Sequence, residues 1–194
     1  MSNRTTTPPT TTTRRPALRT TARWMVSFLG FPLGGFAATI LVGPVDSLTA
    51  ALIGGLITGT ILGAAQSWGL GRSGPPALQW IAATAMGLAA GFGVGSAVVD
   101  YQTSLAALIV QGAISGFAVG IAQALVLRHR VGRLALAWPA ALAGAWALGW
   151  VVTATAGIAV DQQFIIFGAS GALVVTALTA VLPLILTRTT VSAS

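Results

Sequence analysis

Residues 55–72 read GLITGTILGAAQSWGLGR, and residues 112–128 read GAISGFAVGIAQALVLR. In the first stretch Gly55, Gly59 and Gly63 recur every fourth residue, then Gln66, Leu70 and Arg72 follow. In the second, Gly112, Gly116, Gly120, Gln123, Leu127 and Arg128 hold the same order. Spacing by four keeps side chains on one face of a helix. No charge interrupts either stretch before its arginine. Each reads as a membrane-crossing helix with one face small enough for another backbone to approach closely.

Working outward, apolar stretches of similar length occur at 24–43, 47–70, 77–99, 104–127, 135–159 and 163–186. Each is long enough for a ~30 Å hydrocarbon core, which needs about 20 residues. Composition agrees. Hydrophobic residues make up 55% of the 194 and charged residues 7%, with mean hydropathy +0.85. A soluble domain carries about 25% charged residues. A chain with so few cannot cover itself for water, so lipid is the expected solvent.

The charges sort by station. All ten basic residues are arginines: Arg4, Arg14, Arg15, Arg19, Arg23, Arg72, Arg128, Arg130, Arg133 and Arg188. The acids are Asp46, Asp100 and Asp161. Arginines precede span 1 and follow spans 2, 4 and 6, while aspartates follow spans 1, 3 and 5. The positive-inside bias then places both termini in the cytoplasm and the chain in the plasma (inner) membrane. Trp24, Trp68, Trp80 and Trp138 fall near the inner interface and Tyr101 and Phe164 near the outer one, as an aromatic belt would have them. The net charge of +7 is spread over short segments without a lysine. It reads as topology, not as a nucleic-acid footprint.

Residues 1–23 are rich in Thr, Pro and Arg and predict a disordered cytoplasmic tail. Arg14-Arg15 has a twin-arginine look, and an acid-free tail also suits a transit peptide. The apolar run from Trp24 exceeds a signal h-region of ~7–15 residues, which favours tail plus first helix. Residues 24–188 form the expected transmembrane domain, with hairpins 24–70, 77–127 and 135–186. Residues 189–194 are a short cytoplasmic tail.

Internal similarity extends beyond the opening pair. Trp24, Trp80 and Trp138 begin spans 1, 3 and 5, and Gly35-Phe36, Gly91-Phe92 and Gly149-Trp150 follow at one offset. Gly87, Gly91 and Gly95 give span 3 a small face of its own. Spans 1 and 5 have weaker ones: Gly30, Gly34 and Ala38, then Ala145, Gly149, Thr153 and Gly157. The third copy of the even span is degenerate, with Gly168, Ala172, Thr176 and Thr179. The expected fold is all-α and membrane-integral: three parallel helical hairpins in a pseudo-threefold six-helix bundle. An irregular bundle with only a trace of repetition is the alternative.

The hairpin, with Gly-x-x-Gln-x-x-x-Leu and an arginine just beyond, resembles a loose set of bacterial multi-spanning membrane proteins. The resemblance covers spans 2 to 5 best. It implies a membrane location and no known activity.

Gln66 and Gln123 share the face of the zipper glycines, and Thr179 holds the related place in span 6. These three are the candidate polar lining, or else plain interhelical hydrogen bonds. No ionisable residue falls inside a span, which argues against proton-coupled antiport and ion pumping. Gly168-Ala169-Ser170-Gly171 resembles the nucleophile motif of rhomboid proteases. Its serine lacks a base: the sole histidine, His129, lies among arginines at the opposite side, so no protease is expected. Asp46 and Asp161 suit helix N-caps, while Thr103 or Ser104 would cap the helix after Asp100. With no cysteine there is no thiolate metal site. The reading is a structural or accessory membrane subunit, not an enzyme, with no catalytic, cofactor or metal residue. Its alternative is a passive permease or channel for a small neutral solute. The expected partners are the bilayer and a second copy or another membrane subunit, with no nucleic acid.

Overall fold

A computed structural model describes residues 14–156 and 170–191. The regular elements within them are helices: α1 (Arg14–Val26), α2 (Gly30–Val42), α3 (Leu48–Leu70), α4 (Ala77–Val98), α5 (Leu105–Val131), α6 (Trp138–Thr155), α7 (Ser170–Leu178) and α8 (Val181–Val191). Tighter 3-10 turns join some of them at Ser27–Leu29, Gly71–Ser73 and Gly132–Ala137. Helices suit this sequence because lipid offers backbone groups no partner, so each must be satisfied within its own segment.

Five helical segments are long and apolar enough to cross a membrane: Leu18–Val42, Leu48–Ser73, Ala77–Val98, Leu105–Thr155 and Ser170–Thr187. The fourth covers 51 residues, which would measure ~77 Å if straight at 1.5 Å per residue. It is not straight. Gly132 ends α5 with φ 56°, a left-handed conformation that glycine adopts without strain, and its amide closes on Arg128. The chain then doubles back, so that Gly112, Gly116 and Gly120 of α5 face Trp150, Leu142 and Pro139 of α6 in antiparallel order.

Helices adjacent in sequence pack together from α2 through to α7. At the seam α1 lies on α3, α7 and α8, which brings the last described helix back to the first. Leu62, Leu88, Phe92, Val119, Leu142 and Trp146 form part of one buried cluster. Trp24, Leu70, Trp80, Leu127, Leu182 and Leu186 form another, towards the arginine-bearing ends. The outward faces are apolar too: Ile40, Leu41, Met86, Val94, Phe117 and Leu125 are all exposed. Apolar residues on both the inner and the outer faces are what a lipid solvent requires.

Several boundaries differ from the sequence reading. Residues 14–23 are helical, where composition predicts a disordered tail; residues 1–13 lie outside the described set. The helix gains what an isolated tail lacks, a packing partner: Gly69 of α3 has no side chain, and the backbone of Arg23 and Trp24 settles over it. The first predicted span is broken by the Ser27–Leu29 turn. α5 runs one turn past its predicted end, so Arg128, His129 and Arg130 are helical, as suits cations at a helix C-terminus. Ser47, not Asp46, caps α3, accepting from Ala50 N at 3.3 Å. Ser104 caps α5 as expected, accepting from Ala107 N at 3.3 Å. The predicted cap Asp161, the start of the sixth predicted span, Gly157, Phe164 and Gly168 all fall outside the described residues.

Candidate functional site

The two glutamines singled out in the sequence meet in the interior. Gln66 sits one turn beyond Gly63 on α3, and Gln123 one turn beyond Gly120 on α5. The glycines let α3 approach α4, and α5 approach α6, until backbone nearly touches backbone. A Cβ at Gly59 would lie 2.6 Å from Ala85 Cα, and one at Gly120 would lie 2.4 Å from Pro139 Cα. Gly55 and Gly63 sit against Ala89 and Ile81 of α4 in the same way. Gly87, Gly91 and Gly95 of α4 meet Val119, Ser115 and Gln111 of α5. Gly30 and Gly34 of α2 meet Ala65 and Thr58 of α3. By packing partner, Gly34 holds the place on α2 that Gly91 holds on α4. In the sequence, Gly35 stands at the offset from Trp24 that Gly91 keeps from Trp80. The offset of one residue falls where the Ser27–Leu29 turn interrupts the first helix.

This close packing brings the two glutamines, 57 residues apart, within reach of each other. Gln123 Nε2 donates to Gln66 Oε1 at 3.3 Å and to Thr84 Oγ1 at 2.9 Å. Thr84 in turn donates to Trp80 O at 2.8 Å. Trp80 Nε1 donates to Gln66 Oε1 at 3.1 Å, and Trp138 Nε1 donates to Gln123 Oε1 at 2.9 Å. Each indole therefore bonds the glutamine of the helix before it in sequence.

Thr179 reaches the same place by another route. Ala180, whose α-helical acceptor would be Thr176, donates instead to Ala177 O at 3.2 Å, and α7 ends there. Thr176 O takes Trp24 Nε1 at 3.1 Å and Thr179 Oγ1 at 3.2 Å. A main-chain carbonyl thus serves Trp24 as the glutamine amides serve Trp80 and Trp138.

Gln66, Gln123, Thr176 and Thr179 line a central cavity of about 20 Å³, closed by Phe31, Leu62, Val119, Leu142 and Trp146 among others. A water needs roughly 10–15 Å³ on this measure, so there is room for about one. The lining offers amides, hydroxyls and indoles. It holds no acid, base or strong nucleophile, so it can orient a small polar molecule but supplies no general acid–base chemistry.

The remaining candidates lie apart. Ser170 Oγ is 2.9 Å from Thr153 Oγ1, and Thr153 also donates to Gly149 O. Thr153 is near the far end of α6, whereas His129 accepts from Arg128 Nε at 3.3 Å beside the start of α6. No group of three or more His, Cys, Asp or Glu able to hold a metal occurs among the described residues. A further polar pair was missed in the sequence: Gln111 Nε2 donates to Ser96 Oγ at 2.9 Å, with both residues buried. The belt positions expected of Trp24 and Trp80 are not the ones they take. Trp24 and Trp80 are 1% and 0% exposed; only Trp68 faces outward, at 51%. A polar tip on a large apolar body suits a membrane interface, but it equally suits an interior that holds a hydrogen-bond acceptor.

No family model, no curated protein and no solved structure matches the chain. The functional reading therefore rests on the geometry.

Proposed function

We infer that the chain is a six-span protein of the inner membrane, built as three parallel hairpins with both termini cytoplasmic, and that its role is structural or accessory and not catalytic. The count of six follows from reading the doubled-back Leu105–Thr155 segment as two crossings. The recurrence of contacts supports the hairpin repeat. Gly55, Gly59 and Gly63 seat α3 on α4 as Gly112, Gly116 and Gly120 seat α5 on α6. Gly30 and Gly34 seat α2 on α3 as Gly87 and Gly91 seat α4 on α5. The arginines and aspartates at opposite helix ends support the orientation.

One observation carries the functional reading. The two glutamines and the Trp80 and Trp138 indoles at the centre are bonded to one another, around a space that admits about one water. Such a centre fixes the relative positions of α3, α4, α5 and α6. A solute route would leave those groups free towards a continuous cavity. The partners that suit this reading are the bilayer itself and a second copy or another membrane subunit.

The alternative is a passive permease for a small neutral solute. It draws on the convergence of Gln66, Gln123 and Thr179 on one cavity. Flux into proteoliposomes decides between the two. With water, glycerol and urea as solutes, the expected result is equal flux with and without protein. Protein-dependent flux that vanishes in Gln66→Leu/Gln123→Leu would overturn the structural reading.

A further inference from the structure

The arginine-bearing end of the bundle is tied together through main-chain carbonyls. Arg23, near the end of α1, lays its guanidinium over the Trp68 ring, 4.6 Å from the centroid. Its Nη2 donates to Trp68 O, and its Nη1 lies beside Gly71. Arg130, in the last turn of α5, donates through Nη1 to Ser73 O at 3.3 Å. Arg72 stands on the turn between these two anchors, with an exposed side chain. Two guanidinium groups, from α1 and α5, therefore anchor on residues 68–73, and Arg72 lies between their acceptors in the chain.

A guanidinium has five N–H donors, so the anchoring bond leaves several unused at the exposed Arg130, and those of the exposed Arg72 stay available, whereas Arg23 is half-buried with its Nε enclosed. Arg19 in the middle of α1, Arg128 in the last turn of α5 and Arg133 on the following turn are exposed as well. The described carboxylates, Asp46 and Asp100, lie at the opposite end, where Leu48 and Val98 flank one groove. The length of α3 separates the two ends, ~33 Å at 1.5 Å per residue. No described carboxylate balances the arginines. Apolar side chains flank the turn: Trp68 is 51% exposed, and Leu78, on the first turn of α4, is 79% exposed. A phosphate with acyl chains attached meets both features, guanidinium above and hydrocarbon below.

We propose that the Trp68–Ser73 turn, with Arg23, Arg72 and Arg130, is a binding site for the phosphate headgroup of an anionic phospholipid in the adjacent leaflet. The site rests on the membrane reading above. Carbonate extraction of native membranes tests that reading by itself, because a chain released into the supernatant would end both. With the chain shown to be integral, only the site is at stake. The full chain in detergent is titrated with phosphatidylglycerol, phosphatidylcholine and glycerol phosphate, and bound lipid is read by native mass spectrometry.

A guanidinium that bonds the phosphate contributes about fivefold to tenfold in affinity, and an exposed arginine that only adds to the local field about twofold. Arg23→Gln/Arg72→Gln/Arg130→Gln is expected to lose about a hundredfold in phosphatidylglycerol affinity. Arg19→Gln/Arg128→Gln/Arg133→Gln, with the same charge removed, should lose less than tenfold. Arg72→Gln alone disturbs no contact of the fold and should lose about fivefold, which keeps the test usable if the triple variant does not fold. Equal losses in the two triple variants would overturn the site in favour of diffuse charge attraction. Phosphatidylcholine held as tightly as phosphatidylglycerol would overturn it as well, and so would glycerol phosphate held as tightly as the lipid.

Discussion

Trp138 Nε1 donates to Gln123 Oε1 at 2.9 Å, which joins the start of α6 to the last third of α5. The same glutamine spends its amide hydrogens on Thr84 and Gln66. One buried side chain thereby connects α3, α4, α5 and α6.

Gln123→Leu should therefore cost more than Gln66→Leu. The first strands the Trp138 indole and strips Thr84 and Gln66 of a donor, for roughly 2–3 kcal/mol. The second strands the Trp80 indole and one amide hydrogen, for about 1 kcal/mol. Unfolding in detergent, followed by tryptophan fluorescence, measures both. Equal costs would remove Gln123 from the centre of the network.

The glycine faces make a graded prediction. A Cβ at Gly116 would lie 2.5 Å from Leu142 O and one at Gly59 2.6 Å from Ala85 Cα, both main-chain atoms that cannot swing aside. Gly59→Ala and Gly116→Ala should each cost about 1–3 kcal/mol by overpacking. Gly144 has nothing within 4 Å. Gly144→Ala should be neutral, or gain about 0.5–1 kcal/mol from helix propensity. Thermal melts of the three variants check the order.

How much of this could be read beforehand depends on the kind of group. Glycines such as Gly59 and Gly116, which the structure sets against a neighbouring backbone, stand out in the sequence because spacing by four is a side-chain pattern. Gln66 and Gln123 were legible because amides are conspicuous among alanines and leucines. Thr176 O was not, because every residue has a carbonyl and only a local break in the ladder makes one available. The orientation of Trp24 and Trp80 was hidden for a related reason: the indole finds an acceptor inside as readily as at an interface. The cap at Ser47 was obscured by Asp46 beside it, since either residue type suits the position.

Thr58 Oγ1 and Ser115 Oγ are buried without a hydrogen-bond partner, each against a glycine of the neighbouring helix. Removing a stranded hydroxyl while keeping its shape should stabilise. Thr58→Val and Ser115→Ala are each expected to gain about 0.5–1 kcal/mol. A loss in either variant would mean that the hydroxyl has a partner in the membrane.

Orientation can be checked without background, because the chain has no cysteine. Ser73→Cys and Arg133→Cys should react with an impermeant maleimide from the cytoplasmic side only, and Gln102→Cys from the outer side only. Labelling of Ser73→Cys and Arg133→Cys from opposite sides would refute the two-crossing reading of residues 105–155.

The bond from Trp24 to Thr176 spans 152 residues of chain. A ribosome adding about 5–20 residues per second separates the synthesis of donor and acceptor by roughly 8–30 s. Until α7 arrives, the Trp24 indole has no native acceptor. Both central glutamines are synthesised well before that, so the middle of the protein can set while its seam is still open. Assembly then ends where it began, and truncation before Thr176 would leave a bundle that is folded at its centre and unsealed at its edge.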